Sequence, residues 1–585
     1  MSGSSDDSSW WDSLYRPEPP AGQVPPVAED QPPLGRHSRR GSKRRKLPYV
    51  LVAVLVVAAG VGAALVLPGR GSTQTTGFLP TGSTPGQDAQ QTARAFLRAW
   101  EAGHLQQAAN YTNRPAEARA ALTAYRTYLH LGKLTGTAGP ARAISPGSAN
   151  PREEVSYAAS ASVAAPYGTA LVSGTWSYHA SLVTYLGKQS RYWYVAWAPD
   201  DLAPNLTSTA HLTAVPVAPR VTSVTDASGN DLTSYGDAGL DNIAAGLETG
   251  APPGYGSPGL DVEIQTRTGK RLARTKAVVV APKNVSGFAT TIDATAEQDA
   301  RSAVAAHKDS SMVVIQPSTG KILAVANNAG FNDFALTARV APGSTMKTVT
   351  STALFNQGVL TPESPVECPK AFTIQGITYH NDKGESEPAS TPFITDFAQS
   401  CNNAFSTQWE HLTGGRLAET AKRYYGLDQN WDIGIGTESA SYFNAPPSAS
   451  GSELAQEAFG EGELTASPLA MASIAATIDS GRFRQPHLAP GGTLVTAKPL
   501  PAQTDAWMKE MMRAVVTSGT AATVGFGPDV YAKTGTADID GQGQPNSWLI
   551  AFEPSRDVAV ACLVVNAGYG AQVAGPEVRA FLDSY

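Results

Sequence analysis

Ala341-Pro342-Gly343-Ser344-Thr345-Met346-Lys347 is the stretch from which the rest of the chain can be read. Pro342 and Gly343 punctuate it, and Thr345 to Phe355 follow with helix-compatible spacing until Gly358. The pattern predicts a turn that launches a helix, with Ser344 in the first turn and Lys347 three residues on, on the same face. A serine hydroxyl is a poor nucleophile until a neighbour takes its proton. A lysine one turn away can do so if burial and the positive end of the helix dipole lower its pKa. Alone, Ser-x-x-Lys also describes an N-cap serine beside a solvated lysine, and it recurs by chance in many chains.

Two later triplets change that balance. Ser400-Cys401-Asn402 follows, and then Lys533-Thr534-Gly535-Thr536, with Pro-Gly before the first motif and Ala537 after the last. Ser-x-x-Lys, Ser-x-Asn and Lys-Thr-Gly, in this order, form the motif set of the serine penicillin-recognising enzymes. The C-terminal half therefore resembles the transpeptidase domain of a class B penicillin-binding protein.

That resemblance assigns roles. Ser344 would attack the penultimate D-Ala carbonyl of a peptidoglycan stem and form an acyl-enzyme. Lys347 would be the base, Lys533 a neighbouring positive charge, and Ser400 the relay of a proton to the leaving D-alanine. Asn402 would orient Lys347 and the substrate amide. Thr534 and Thr536 would offer hydroxyls to the terminal carboxylate, and Gly535 would let a substrate strand lie against the sheet edge. The N–H groups of Ser344 and Thr536 would form the oxyanion hole. No cofactor or metal is implied. Bland alternatives are an ordinary helix serine at Ser400 and a cap at Asn402.

The chain has 585 residues, a formal net charge of −6 and only 16% charged residues. The length suits several domains, and the mild acidity argues against a nucleic-acid partner. Three cysteines do not make a disulfide framework. Residues 1–47 are rich in Pro, Ser and charge, and read as a disordered tail whose Trp10-Trp11 pair suits partner docking. The tail ends in Arg36, Arg39, Arg40, Lys43, Arg44, Arg45 and Lys46. Tyr49 to Leu67 is apolar and uncharged, about the length that crosses a bilayer core. The basic cluster before it predicts a single-pass anchor at 48–67, with a cytoplasmic N-terminus and an extracytoplasmic catalytic part. A cleaved signal peptide is disfavoured by the long n-region and the lack of a small-x-small site.

A Gly/Thr/Ser/Pro linker is expected at 68–87. In 88–207, Ala93, Phe96, Leu97, Trp100 and Leu105, and then Ala121, Leu122, Tyr125 and Leu129, have helical spacing. Strand-like runs follow at Glu154 to Ala164, Ala170 to Leu182 and Arg191 to Trp197. An α+β cone is expected. Its ending, Trp193 to Pro199, resembles the close of the NTF2-like domain of methicillin-resistance-type penicillin-binding proteins, and a spacer role is preferred to a ligand pocket. Residues 208–289 are Gly-, Asp- and Thr-rich, with short strands expected. Pro219-Arg220 to Asn230-Asp231-Leu232 resembles a degraded opening of the class B non-catalytic pedestal module, with Val221 and Ala227 replacing a glycine and an arginine.

Residues 290–585 read as the catalytic domain, an antiparallel sheet flanked by helices. A helix to about His307, a hairpin of Ser311 to Gln316 with Lys321 to Ala326, and a helix from Thr395 past Ser400 are expected. Val530 to Ala537, Ser547 to Phe552 and Val558 to Val565 predict an antiparallel meander, with a final helix at Val573 to Leu582. Asp333-Phe334-Ala335 and Glu461 depart from the Asn-Arg-Ala and Gly-Gln-Gly of the family. His307, His380, His411 and His487 lack metal-ligand spacing. Cys401 is read as a space-filling residue, with a Cys368–Cys401 bridge as the alternative, and Cys562 as buried.

The resemblance thus implies a membrane-anchored transpeptidase that cross-links stem peptides and is acylated by β-lactams, with glycan polymerisation left to a partner. The alternatives are a D,D-carboxypeptidase or β-lactam hydrolase on the same fold, and a sensor or scaffold without turnover.

Overall fold

In the computed structural model the residues described are 76–252, 254–272, 275–382, 384–435, 443–447, 449–489, 494–538 and 542–585. The expected tail and membrane-spanning segment lie outside them. Among the described residues no helix is long and apolar enough to cross a membrane.

The N-terminal region starts with three helices, Pro85–Glu101, Leu105–Asn110 and Pro115–Tyr128. Thr84 caps the first by accepting from the Gln87 N–H, and Pro85 supplies the pre-set φ of a first helical position. These helices pack on a four-stranded antiparallel sheet, Leu134–Ala143, Arg152–Tyr167, Ala170–Leu186 and Trp193–Val195, in sequence order. The long middle strand alternates buried and exposed residues, so Val155, Tyr157, Ala159, Ala161 and Val163 meet the helices. The first strand was not anticipated, because Leu134 is its one fully apolar inward residue.

The next strand, Ala210–Val217, pairs with Gly259–Thr266, which pairs in turn with Ala277–Val280. Leu212, Ala214, Leu260, Val262 and Ile264 join the same buried cluster as Phe96, Trp100 and Leu122. The short-strand expectation for this region omitted a helix, Ala238–Thr249. Its glycines and Asp241 disguise it, but Asp237 caps it and Leu240, Ile243, Ala244 and Leu247 form its buried stripe.

The C-terminal region is built on a five-stranded antiparallel sheet. The hairpin Ser310–Ile315 and Ile322–Asn328 lies beside the meander Val558–Val564, Asn546–Glu553 and Tyr531–Ala537. The first and last strands in sequence thus pair through Ser310–Ile315 and Val558–Val564. Helices Ala294–Val304 and Ala574–Ser584 cover one face through Ala300, Val304, Val578 and Phe581. Helix Pro468–Ser480 packs on the central strands and is itself buried along nearly its whole length. Burial on both faces explains why Val558–Val564 is a continuous apolar run without alternation. Cys562 lies in that run, buried against Glu577.

Candidate active site

The nucleophile turn is placed by close backbone contacts. Gly343–Met346 forms a 3-10 turn that leads directly into the helix Lys347–Asn356. Gly343 has φ +53°, and a Cβ there would lie 2.3 Å from the Thr536 carbonyl oxygen. The Trp548 indole N–H donates to the Ala341 carbonyl at 2.9 Å. On the other side the Gly343 N–H donates to the Gly460 carbonyl at 2.9 Å. Gly460 has φ +98°, and a Cβ there would sit 1.9 Å from the Gly343 oxygen. The turn is thus clamped between the strand Tyr531–Ala537 and the loop before Pro468, where only hydrogen side chains fit.

Lys347 is fully buried, and its Nζ donates to Ser344 Oγ at 2.8 Å, to the Ser400 carbonyl at 2.7 Å and to Asn402 Oδ1 at 2.7 Å. Burial is the main reason its pKa falls to about 7, with Asp382, Glu461, Glu385 and Asp396 opposing the fall. Lys533 is also fully buried and donates to Ser400 Oγ at 2.8 Å. Burial, and then the nearby Lys347, push its pKa well below the ordinary lysine value. Each ammonium lies over an aromatic ring, Lys347 over Phe405 and Lys533 over Phe397.

Ser400 corrects one expectation. The helix Phe393–Gln399 stops before it, and Ser400 is the C-cap in the left-handed region, φ +64°. A helical Ser400 would direct its carbonyl down its own helix. The left-handed turn instead aims its carbonyl at Lys347 and its hydroxyl at Lys533. A non-glycine residue there costs about 1 kcal/mol, which marks a geometry held by its surroundings.

The space-filling reading of Cys401 is also corrected: it forms a disulfide with Cys368. The bridge given as the alternative is the one formed, although the loop that joins the two cysteines has no periodicity from which their approach could be read. That loop contains an unanticipated hairpin, Ala371–Ile374 with Ile377–His380, leading to Asn381 and Asp382. Asn381 Oδ1 accepts from the Asn402 and Asn403 N–H groups at 3.1 and 2.9 Å. Asp382 Oδ1 accepts from Asn402 Nδ2 at 2.8 Å. Sequence reasoning missed both residues; an Asn-Asp pair after a short strand carries no signal of its own.

A cleft of about 220 Å³ opens beside this cluster, lined among others by Asp382, Ser400, Thr520, Thr534, Thr536 and Tyr569. Thr534 and Thr520 share a hydroxyl–hydroxyl hydrogen bond of 2.6 Å. The space a side chain at Gly535 would need is taken by the Pro342 carbonyl at 2.8 Å, so its smallness also serves the nucleophile turn. All predicted residues, Ser344, Lys347, Ser400, Asn402, Lys533, Thr534, Gly535 and Thr536, therefore converge on one place. A larger cavity of about 560 Å³, walled by Tyr125, Tyr128, Trp197 and His211, belongs to the N-terminal region and shares none of them. Among the described residues, Cys368, Asp396 and Cys401 alone come together at metal-ligand spacing, and their two sulfurs are spent in the disulfide.

Known proteins resemble this chain over part of its length. Residues 310–583 match the family described as penicillin binding protein transpeptidase domain. Penicillin-binding protein PbpB of Mycobacterium tuberculosis is 27% identical over 349 residues, covering 53% of this chain and 50% of the relative. Peptidoglycan D,D-transpeptidase PbpA of the same species is 26% identical over 329 residues, covering 47% of this chain and 66% of the relative. The chain thus spans half to two thirds of the length of these relatives. A ceftriaxone acyl-enzyme complex of M. tuberculosis penicillin-binding protein A aligns with TM-score 0.46 and 24% identity, over 52% of this chain and 80% of that one. Ser344, Lys347, Ser400, Asn402 and Lys533 to Thr536 all lie within the span that resembles a penicillin-binding protein transpeptidase domain.

Proposed function

We propose that this chain is a membrane-anchored peptidoglycan D,D-transpeptidase that works through an acyl-enzyme on Ser344 and is acylated by β-lactams. The observation that carries the reading is the 2.8 Å contact from the Lys347 amine to Ser344 Oγ. A neutral Lys347 takes the serine proton as Ser344 Oγ attacks the penultimate D-Ala carbonyl. The N–H groups of Ser344 and Thr536 receive the developing oxyanion, a contribution of about 3 kcal/mol for one donor. Ser400, held by Lys533, passes a proton to the departing D-alanine as the C–N bond breaks. The amine of a second stem then attacks the ester and frees the serine. A β-lactam follows the first half of this path, and its opened ring stays attached.

The rest of the chain fits that task. Residues 48–67 would hold it in the cell membrane with the tail in the cytoplasm, and 88–207, an NTF2-like domain, would act as a spacer toward the cell wall. Chain polymerisation would fall to a separate glycan polymerase, and nucleic acid has no part. Intact-mass analysis with a fluorescent penicillin tests the serine: one adduct is expected on the native chain and none on Ser344→Ala. An adduct on that variant would sink the assignment. Stem-peptide substrates separate cross-linking from the carboxypeptidase reading, since release of D-alanine with no cross-linked dimer would favour the latter. Protease added to spheroplasts should degrade the chain beyond Gly69, and protection of the catalytic region would reverse the topology.

A further inference from the structure

The Asn402 side chain has two chemically opposite ends, an acceptor oxygen and a donor nitrogen. Its Oδ1 accepts from the Lys347 amine at 2.7 Å and lies 3.5 Å from Ser344 Oγ. Its Nδ2 donates to Asp382 Oδ1 at 2.8 Å. An ionised carboxylate can only accept, and an ammonium can only donate. A flipped amide would therefore set oxygen against oxygen at Asp382 and N–H against N–H at Lys347. Asp382 excludes that arrangement from one side, and Lys347 does so from the other while it is an ammonium.

Asp382 is itself held in register with the second motif. Its neighbour Asn381 accepts from two backbone N–H groups of that motif's helix and donates to the Pro369 and Glu385 carbonyls at 3.1 and 2.8 Å. The Cys368–Cys401 disulfide ties the start of the same loop to the middle residue of the motif. Asp382 also contributes negative charge to both buried lysines.

From this geometry we infer that Asp382 is a positioning residue for the transpeptidase reaction, fixing the Asn402 amide and supplying the charge that governs how readily Lys347 gives up its proton. This rests on the acyl-enzyme reading of Ser344. The charged groups facing Lys347 are Asp382, Glu461, Glu385, Asp396 and Lys533. Those facing Asp382 are Lys347, Lys533, Glu385, Glu461 and Asp538. Asp382 is raised by its burial and pulled back by Lys347, so the two titrate as a pair. Removing the carboxylate charge makes the ammonium form of Lys347 less favourable, so the neutral base should persist to lower pH.

The test is the pH profile of the second-order acylation rate, measured with a fluorescent penicillin on the full chain from pH 5 to 9. The native profile should rise through an acidic limb near pH 7. Asp382→Asn can still accept from Asn402 but carries no charge, so its limb should move down by about 0.5–1.5 pH units. Asp382→Glu retains the charge and should return the limb toward its native position. Asp382→Ala loses charge and anchor together, so its limb should shift and its plateau should fall at least about tenfold below that of Asp382→Asn. A limb unmoved in Asp382→Asn, with native acylation intact, overturns the inference and leaves the serine assignment standing. Equal plateaus in the Asn and Ala variants overturn the anchoring half. Absence of acylation in the native chain overturns the serine assignment and this inference together. Melting temperatures confirm that each variant is folded, and the isosteric Asn variant carries the test if the Ala variant is not.

Discussion

Gly460→Ala should disable acylation without touching a reacting atom. The added Cβ would lie 1.9 Å from the Gly343 carbonyl oxygen and 2.9 Å from Met346 Cβ. Relief requires the loop and the nucleophile turn to separate by about 1 Å, and a displacement of that size near reacting groups costs about 100-fold in rate. That is about 2.7 kcal/mol of barrier. The same substitution forces a residue with a side chain to φ +98°. Backbone strain adds about 1–2 kcal/mol of destabilisation, and overpacking about 1–3 kcal/mol. Both fall on a domain whose total stability is on the order of 5–15 kcal/mol. Gly376→Ala is the matched control. Gly376 has φ +83°, but a Cβ there meets nothing within 4 Å. It should lower the melting temperature through backbone strain alone and leave acylation within about twofold of native. Stopped-flow acylation by a fluorescent penicillin, beside thermal melts of both variants, decides the matter. A folded Gly460→Ala protein that acylates as fast as Gly376→Ala would show that the clamp does not set the serine's position.

Opening the disulfide, by Cys368→Ser with Cys401→Ser, should cost about 3–4 kcal/mol for a sequence separation of 33 in the chain-entropy account; a urea midpoint within error of native would contradict this. Buried Lys347 should also make stability rise with pH between about 7 and 10. In that window the unfolded lysine still binds a proton and the folded one has lost it. The gain in urea midpoint from pH 7.5 to 9.5 should be smaller in Lys347→Met, and an equal gain would refute the assignment. The penicillin adduct should persist for many minutes after free drug is removed. Loss within seconds, reversed by Glu461→Gln, would instead identify Glu461 as a hydrolytic base; burial, and then Asp382, raise its pKa to about 7.

What could be read from the chain was the chemistry with short, fixed spacing. Ser344 and Lys347 share one helical turn, and Lys533 to Thr536 lie along one strand, so the motif residues carry their own geometry. The sheet was legible for a similar reason: Val558 to Val564 and Met312 to Ile315 are apolar runs. Ser400 was harder. The apolar spacing around Phe393, Phe397 and Phe405 runs on through it, and nothing local announces a left-handed cap. Asn381 and Asp382 were illegible because a hairpin and a disulfide deliver them, and both are tertiary facts. The helix Ala238–Thr249 was missed because Gly239, Asp241 and Gly246 suggest a loop, whereas burial of Leu240, Ile243 and Leu247 outweighs that preference.

The pairing of Ser310–Ile315 with Val558–Val564 has a consequence for biosynthesis. The strand Ser310–Ile315 has no neighbour on that side until Val558–Val564 has been made, roughly 240 residues later. Lys533 trails Ser344 by roughly 190 residues, which a ribosome adds in about 10–40 s. During that interval the nucleophile lacks its second lysine and the sheet lacks its centre. Reactivity toward penicillin, if Ser344 forms the proposed acyl-enzyme, should therefore require the strands from Lys533 to Val564: a product stalled or clipped before them should stay unlabelled however much of its N-terminal region has folded.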